Sequence, residues 1–117
     1  MQTEKLFELK ECVQAFRNAF SHKLLNENKN IQCIYEMLYD IVHNVSIAAE
    51  YMAMNTMATS DVDMEDFKYK IACAIDDALE NVESIQATMR TNQMCDKLKM
   101  ALTGGCLLIK SELETFR

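Results

Sequence analysis

Apolar residues recur along this chain at steps of three and four, the spacing of one face of an α-helix. Leu6, Leu9, Val13, Phe16, Phe20 and Leu24 make the first such stripe, with Thr3 as a candidate N-cap and Glu4 in the first turn. The stripe predicts a helix over about residues 3–26. The polar run Asn26-Glu27-Asn28-Lys29-Asn30 breaks it, and Asn30 is placed to cap the next helix. Ile31, Ile34, Leu38, Ile41, Val45, Ala48 and Met52 form a second stripe, read as a helix to about residue 58.

Thr59-Ser60-Asp61 is the next break, where Ser60 with Asp63, or Asp63 with Asp66, can form a cap. Met64, Phe67, Ile71, Ala74, Ala78, Val82, Ile85 and Met89 then predict a third helix to about residue 90. Thr91-Asn92 is a weaker break, with Asn92 as candidate cap. Met94, Leu98, Ala101, Leu102, Ile109, Leu113 and Phe116 give the fourth stripe, with Gly104-Gly105 in its middle. The glycine pair predicts a kink or a helix stop there. The alternative is a notch, in which Ala101 and Gly105, one turn apart, admit a neighbouring helix.

Composition sharpens the fold class. The 117 residues contain no proline and two glycines, too little turn chemistry for a sandwich or barrel. Four long helices with short connections make antiparallel neighbours. The expectation is therefore all-α, an antiparallel up-down four-helix bundle forming one domain over residues 1–117, with the fourth helix kinked or broken at Gly104-Gly105.

The net charge is −6, which repels phosphate backbones and anionic membrane surfaces, so neither nucleic acid nor membrane is expected as a partner. The five cysteines are Cys12, Cys33, Cys73, Cys95 and Cys106. Their odd number, the absence of any C-x-x-C and their apolar neighbours read as buried free thiols. That implies a reducing compartment, the cytoplasm, or the host cytoplasm or nucleus for a virus-encoded chain. With no apolar run near the N-terminus and Glu4, Glu8 and Glu11 there, no signal or transit peptide is expected.

Candidate chemistry is sparse. Glu36, Asp40 and His43 share a face of the second helix, and Asp40-x-x-His43 is half of what a carboxylate-bridged metal pair needs. His22, the other histidine, has Ala19 three positions before it and cannot supply the second half. Glu8 and Glu11 could pair with Glu36 and Asp40 around magnesium. Folding about residue 28, however, sets Glu11 opposite Val45 and Glu8 opposite Ala48, leaving the pairs about 10 Å apart. Asp76, Glu80 and Glu83 lie on one face of the third helix as an acidic docking patch, with Asp77 beside them. Met52-x-Met54-x-x-Met57, with Met64 across the loop, suits core filling or an adaptable partner surface. No Gly-rich phosphate loop or nucleophile elbow occurs, so no catalytic residue, metal or cofactor is expected.

One excess remains. Between Ile31 and Ala58 about two-thirds of the residues are apolar, more than a bundle helix needs. Tyr35, Val42, Ala49 and Ala53 widen the stripe on one side, while Met37, Tyr39, Ile47, Tyr51 and Met54 fall partly outside it. Such a helix is either wrapped by its neighbours or buried on a second side by a partner. The expectation is a non-enzymatic interaction or regulatory module. It would self-associate, as a homodimer, or bind a protein partner through Tyr35, Met37, Tyr39, Ile47, Tyr51 and Met54. The alternatives are a small metal-dependent helical enzyme or metal-binding bundle using carboxylates of the first two helices, and an acidic inhibitor seated in a basic groove.

Overall fold

A computed structural model of the chain describes residues 2–91 and 94–117, the side chain of Glu27 excepted. It is all-helical, with no strand among the described residues. Five helices follow one another: α1 (Gln2–Asn18), α2 (His22–Glu27), α3 (Lys29–Thr56), α4 (Asp61–Thr91) and α5 (Asp96–Glu114).

The first predicted helix is thus two. Toward its end the α1 ladder tightens: the Phe20 amide reaches back to the Arg17 carbonyl at 3.2 Å, a three-residue step. Ser21 is extended, and its hydroxyl accepts the Leu24 amide at 3.1 Å, which starts α2 in a new direction. Thr3 lies inside α1 rather than capping it. Asn28, not Asn30, caps α3, its side-chain oxygen accepting the Asn30 amide at 2.8 Å. The Ser60 cap forms as expected, with the Asp63 amide donating to its hydroxyl at 3.2 Å. Asn92 lies outside the described residues, and α5 starts from Cys95 without a side-chain cap.

Gly104-Gly105 does not stop the fourth stripe, because α5 runs unbroken through both. Neither glycine has positive φ. Gly105 instead faces the Phe16 ring, where an added Cβ would sit 2.8 Å from the ring tip. Gly105 alone forms a notch, which α1 fills with an aromatic edge, while Gly104 and Ala101 are exposed.

α3 packs against α1, α2 and α4, while α5 packs against α4 and α1. The core runs between them through Leu6, Val13, Ile34, Leu38, Ile41, Val45, Ile75, Val82, Ile85, Leu102 and Leu113, all essentially closed to solvent. Register between α3 and α4 is pinned by one polar contact, Asn44 Nδ2 donating to Asn81 Oδ1 at 2.8 Å. Register between α1 and α3 is pinned by Arg17. Its Nε donates to the Tyr35 carbonyl at 3.1 Å and its guanidinium lies 3.7 Å from the Tyr35 ring centroid.

The helices differ in length, and that shapes the molecule. At about 1.5 Å per residue α1 and α5 span roughly 26 and 28 Å, α3 and α4 roughly 42 and 46 Å. The principal extents are 52 × 22 × 19 Å, and the radius of gyration of 15.6 Å exceeds the roughly 13.4 Å of a compact chain this long. The far end of the α3–α4 hairpin therefore projects beyond the others.

Candidate functional surfaces

The projecting hairpin tip is the first surface. The last buried residue of α3 is Ala49 and the first of α4 is Ile71. None of the 21 residues between Glu50 and Lys70 is buried, yet ten are apolar: Tyr51, Met52, Ala53, Met54, Met57, Ala58, Val62, Met64, Phe67 and Tyr69. Tyr51 and Phe67 meet across the hairpin with ring centroids 6.1 Å apart, and the Lys70 ammonium lies 5.2 Å from the Tyr51 centroid. Beyond that pair, Met57 is 74% and Val62 79% exposed. Glu50, Asp61, Asp63, Glu65 and Asp66 against Lys68 and Lys70 give the tip three more acidic than basic groups. Lys70 is held at 3.1 Å by Asp66, whose hydrogen bond and charge raise the lysine pKa. On the side of α4 nearest α3, a hydrogen bond to Cys73, together with the charge its thiolate would carry, raises the pKa of Tyr69.

The second surface is α5. Its buried residues Leu102, Cys106, Ile109 and Leu113 form the core seam. Met100, Leu107 and Leu108 are large, apolar and more than half exposed. Between α1 and α5 a groove of about 620 Å³ opens, floored by Leu9, Phe16 and Ile109 and edged by Lys5, Glu8 and Glu112.

Of the six second-helix residues expected at an interface, four are engaged within the chain. Tyr35 is covered by Arg17 and by Phe20, whose ring is 6.0 Å away. Met37, Ile47 and Tyr51 pack against the core. Tyr39 and Met54 remain about half exposed, and Tyr39 stacks on His43 at 6.5 Å. Fifteen positions separate Tyr39 from Met54, roughly 22 Å along the helix, so they make no single patch. Much of the excess apolar surface of α3 is absorbed because α1 lies on one flank and α4 on the other.

The acidic patch is on the surface. Asp76, Glu80 and Glu83 are exposed along α4, and Arg117 approaches Asp76 at 3.4 Å, offsetting part of the charge. Glu36, Asp40, Tyr39 and Arg17 line a shallow hollow of about 390 Å³. Among the described residues no three His, Cys, Asp or Glu side chains converge on a point that could hold a metal ion.

The cysteines correct an expectation. Only Cys106 is buried, and Cys12, Cys33, Cys73 and Cys95 are exposed, all five as free thiols. An apolar neighbour in sequence does not bury a helical cysteine, because adjacent positions point about 100° apart. Burial pushes the Cys106 thiol up to about 11.

No known protein family, curated protein or solved structure matches this chain. Among the described residues, no helix is long and apolar enough to cross a membrane. The α5 surface had a signal in the sequence: Met100-Ala-Leu-Thr-Gly-Gly-Cys-Leu-Leu-Ile109 holds no charged residue on any face of a helix. The glycines inside that run pointed to a break and hid it.

Proposed function

We propose that this chain is a non-enzymatic interaction module, an antiparallel up-down four-helix bundle with α2 as a short insert, and that it captures a basic amphipathic segment of another protein at the hairpin tip. The observation that carries this is the tip itself, where ten apolar residues lie between Glu50 and Lys70, none of them buried, with Tyr51 and Met52 resting on the edge of the core. Four methionines lie there, and thioether side chains adapt to differently shaped partners. The acidic excess around them favours a positively charged occupant and steers its approach. Tyr51 and Met54 belong to this surface. Five free thiols fit a reducing compartment such as the cytoplasm.

The test uses an amphipathic Leu/Lys helical peptide of about 18 residues and methyl NMR of the methionines. Met52, Met54, Met57 and Met64 are expected to shift together on titration, with affinity falling as salt rises. Met57→Ser with Val62→Ser keeps the charge and removes two exposed apolar groups. It should weaken binding about tenfold, since partial burial of two such side chains is worth about 1.4 kcal/mol. Peptide binding unchanged in that variant would show mere charge attraction and refute the reading.

A further inference from the structure

We infer that α5 pairs with α5 of a second copy of this chain, antiparallel, through its outer face. This goes beyond the tip and concerns a different surface and a different occupant. α5 carries two seams. Leu102, Cys106, Ile109 and Leu113 face inward at steps of four, three and four. Lys97, Met100, Gly104, Leu107, Ser111 and Glu114 recur at steps of three and four on the opposite face, and all six are exposed. Met100 is 74% and Leu107 57% exposed, and a Cβ built on Gly104 meets nothing within 4 Å. A seam of that period is the geometry by which two helices interlock.

The residues on this face select the occupant. A two-fold pair must be self-complementary, residue for residue. Antiparallel, with Lys97 opposite Glu114 of the second copy, Met100 falls opposite Ser111 and Leu107 opposite Gly104. Every large side chain then meets a small one, and two ion pairs close the ends. In a parallel pair Lys97 would face Lys97 and Glu114 would face Glu114, and both contacts repel. A helix of about 28 Å makes an interface at the small end of the specific range, so the pair should dissociate within the micromolar range.

The experiment is sedimentation equilibrium of the full chain under reducing conditions, from about 5 to 500 µM. The expected result is a mass that rises from one copy toward two. Leu107→Asp, at an exposed position that leaves the core untouched, should hold the mass at one copy with unchanged helicity. Lys97→Glu should weaken association about tenfold or more, and Lys97→Glu with Glu114→Lys should restore it. A wild-type chain that stays monomeric throughout overturns the proposal, as does a dimer indifferent to Leu107→Asp, or a charge swap that fails to rescue. A dimer lost in Met57→Glu but kept in Leu107→Asp would place self-association at the tip and equally overturn it. Peptide capture at the tip is read separately by the methionine methyl signals, so either reading can fail alone.

Discussion

Replacing the two adjacent glycines of α5 by alanine, one at a time, should give opposite results, although sequence alone treats them alike. Glycine inside a helix costs about 0.8–1.0 kcal/mol relative to alanine. At Gly104 the new methyl enters open space, so Gly104→Ala should gain close to that full amount. At Gly105 the methyl would lie 2.8, 3.0 and 3.3 Å from three atoms of the Phe16 ring, where ordinary contact begins at 3.4 Å. The ring must retreat, and it is already packed edge-on against Phe20 with centroids 6.0 Å apart. Overpacking of this kind costs about 1–3 kcal/mol. Gly105→Ala should therefore be at least about 1 kcal/mol less stable than Gly104→Ala, a gap of roughly 3–6 °C in Tm at this chain length. Urea denaturation at a few micromolar protein keeps self-association from adding to the result. Phe16→Leu removes the ring tip, and in that background the gap should shrink to about 0.3 kcal/mol or less. Two alanine variants of equal stability, or a gap that survives Phe16→Leu, would refute the account of the notch.

Three further outcomes concern the interior and its thiols. The Cys106 thiol is raised from 9.0 to about 11 by burial, so it stays neutral in the folded chain after the unfolded chain has ionised. Stability should be full below about pH 9 and fall as pH rises toward 11, by up to about 2–3 kcal/mol; Cys106→Ala should lack this component in pH-dependent denaturation. Thiol titration of the native protein should find Cys12, Cys33, Cys73 and Cys95 reactive, and Cys106 only after denaturant is added. Asn81→Ala strands the half-buried Asn44 amide and should cost about 1–2 kcal/mol in chemical denaturation, while adding Asn44→Ala should cost less than the sum of the two single changes.

The helical content was written in the periodicity, and so was much of each inner face, although Ile75, Leu79 and Cys106 are buried outside the stripes and Ala101 within one is exposed. What periodicity could not register was a change of direction that keeps the spacing. Phe16, Phe20 and Leu24 stay in phase across Ser21, so two helices read as one until the Ser21 cap is seen. Allocation is a second matter. The apolar excess of α3 was open in the sequence between a wrapped helix and an interface, and four of the six candidate residues are engaged within the chain while Tyr39 and Met54 stay about half exposed. The excess on α5 lies on its outer side, away from α4 and α1, and stays exposed. A hydrophobic count along one helix carries no information about how many neighbours that helix will have; the answer lies in the relative lengths and positions of the other helices.

The unequal helix lengths also divide the molecule by how firmly it is held. Where α1 and α5 flank the hairpin, backbone amides sit among packed helices and exchange with solvent only when much of the structure opens. Past Ala49 and before Ile71 no residue is buried; Tyr51 meets Phe67 across the hairpin, and Tyr51 and Met52 rest on the edge of the core. The amides of that stretch should exchange through a smaller, local opening that leaves the rest folded. A partner gripping the tip would then complete its folding as well as occupy it, and its presence would show as slowed deuterium uptake confined to that end of the protein.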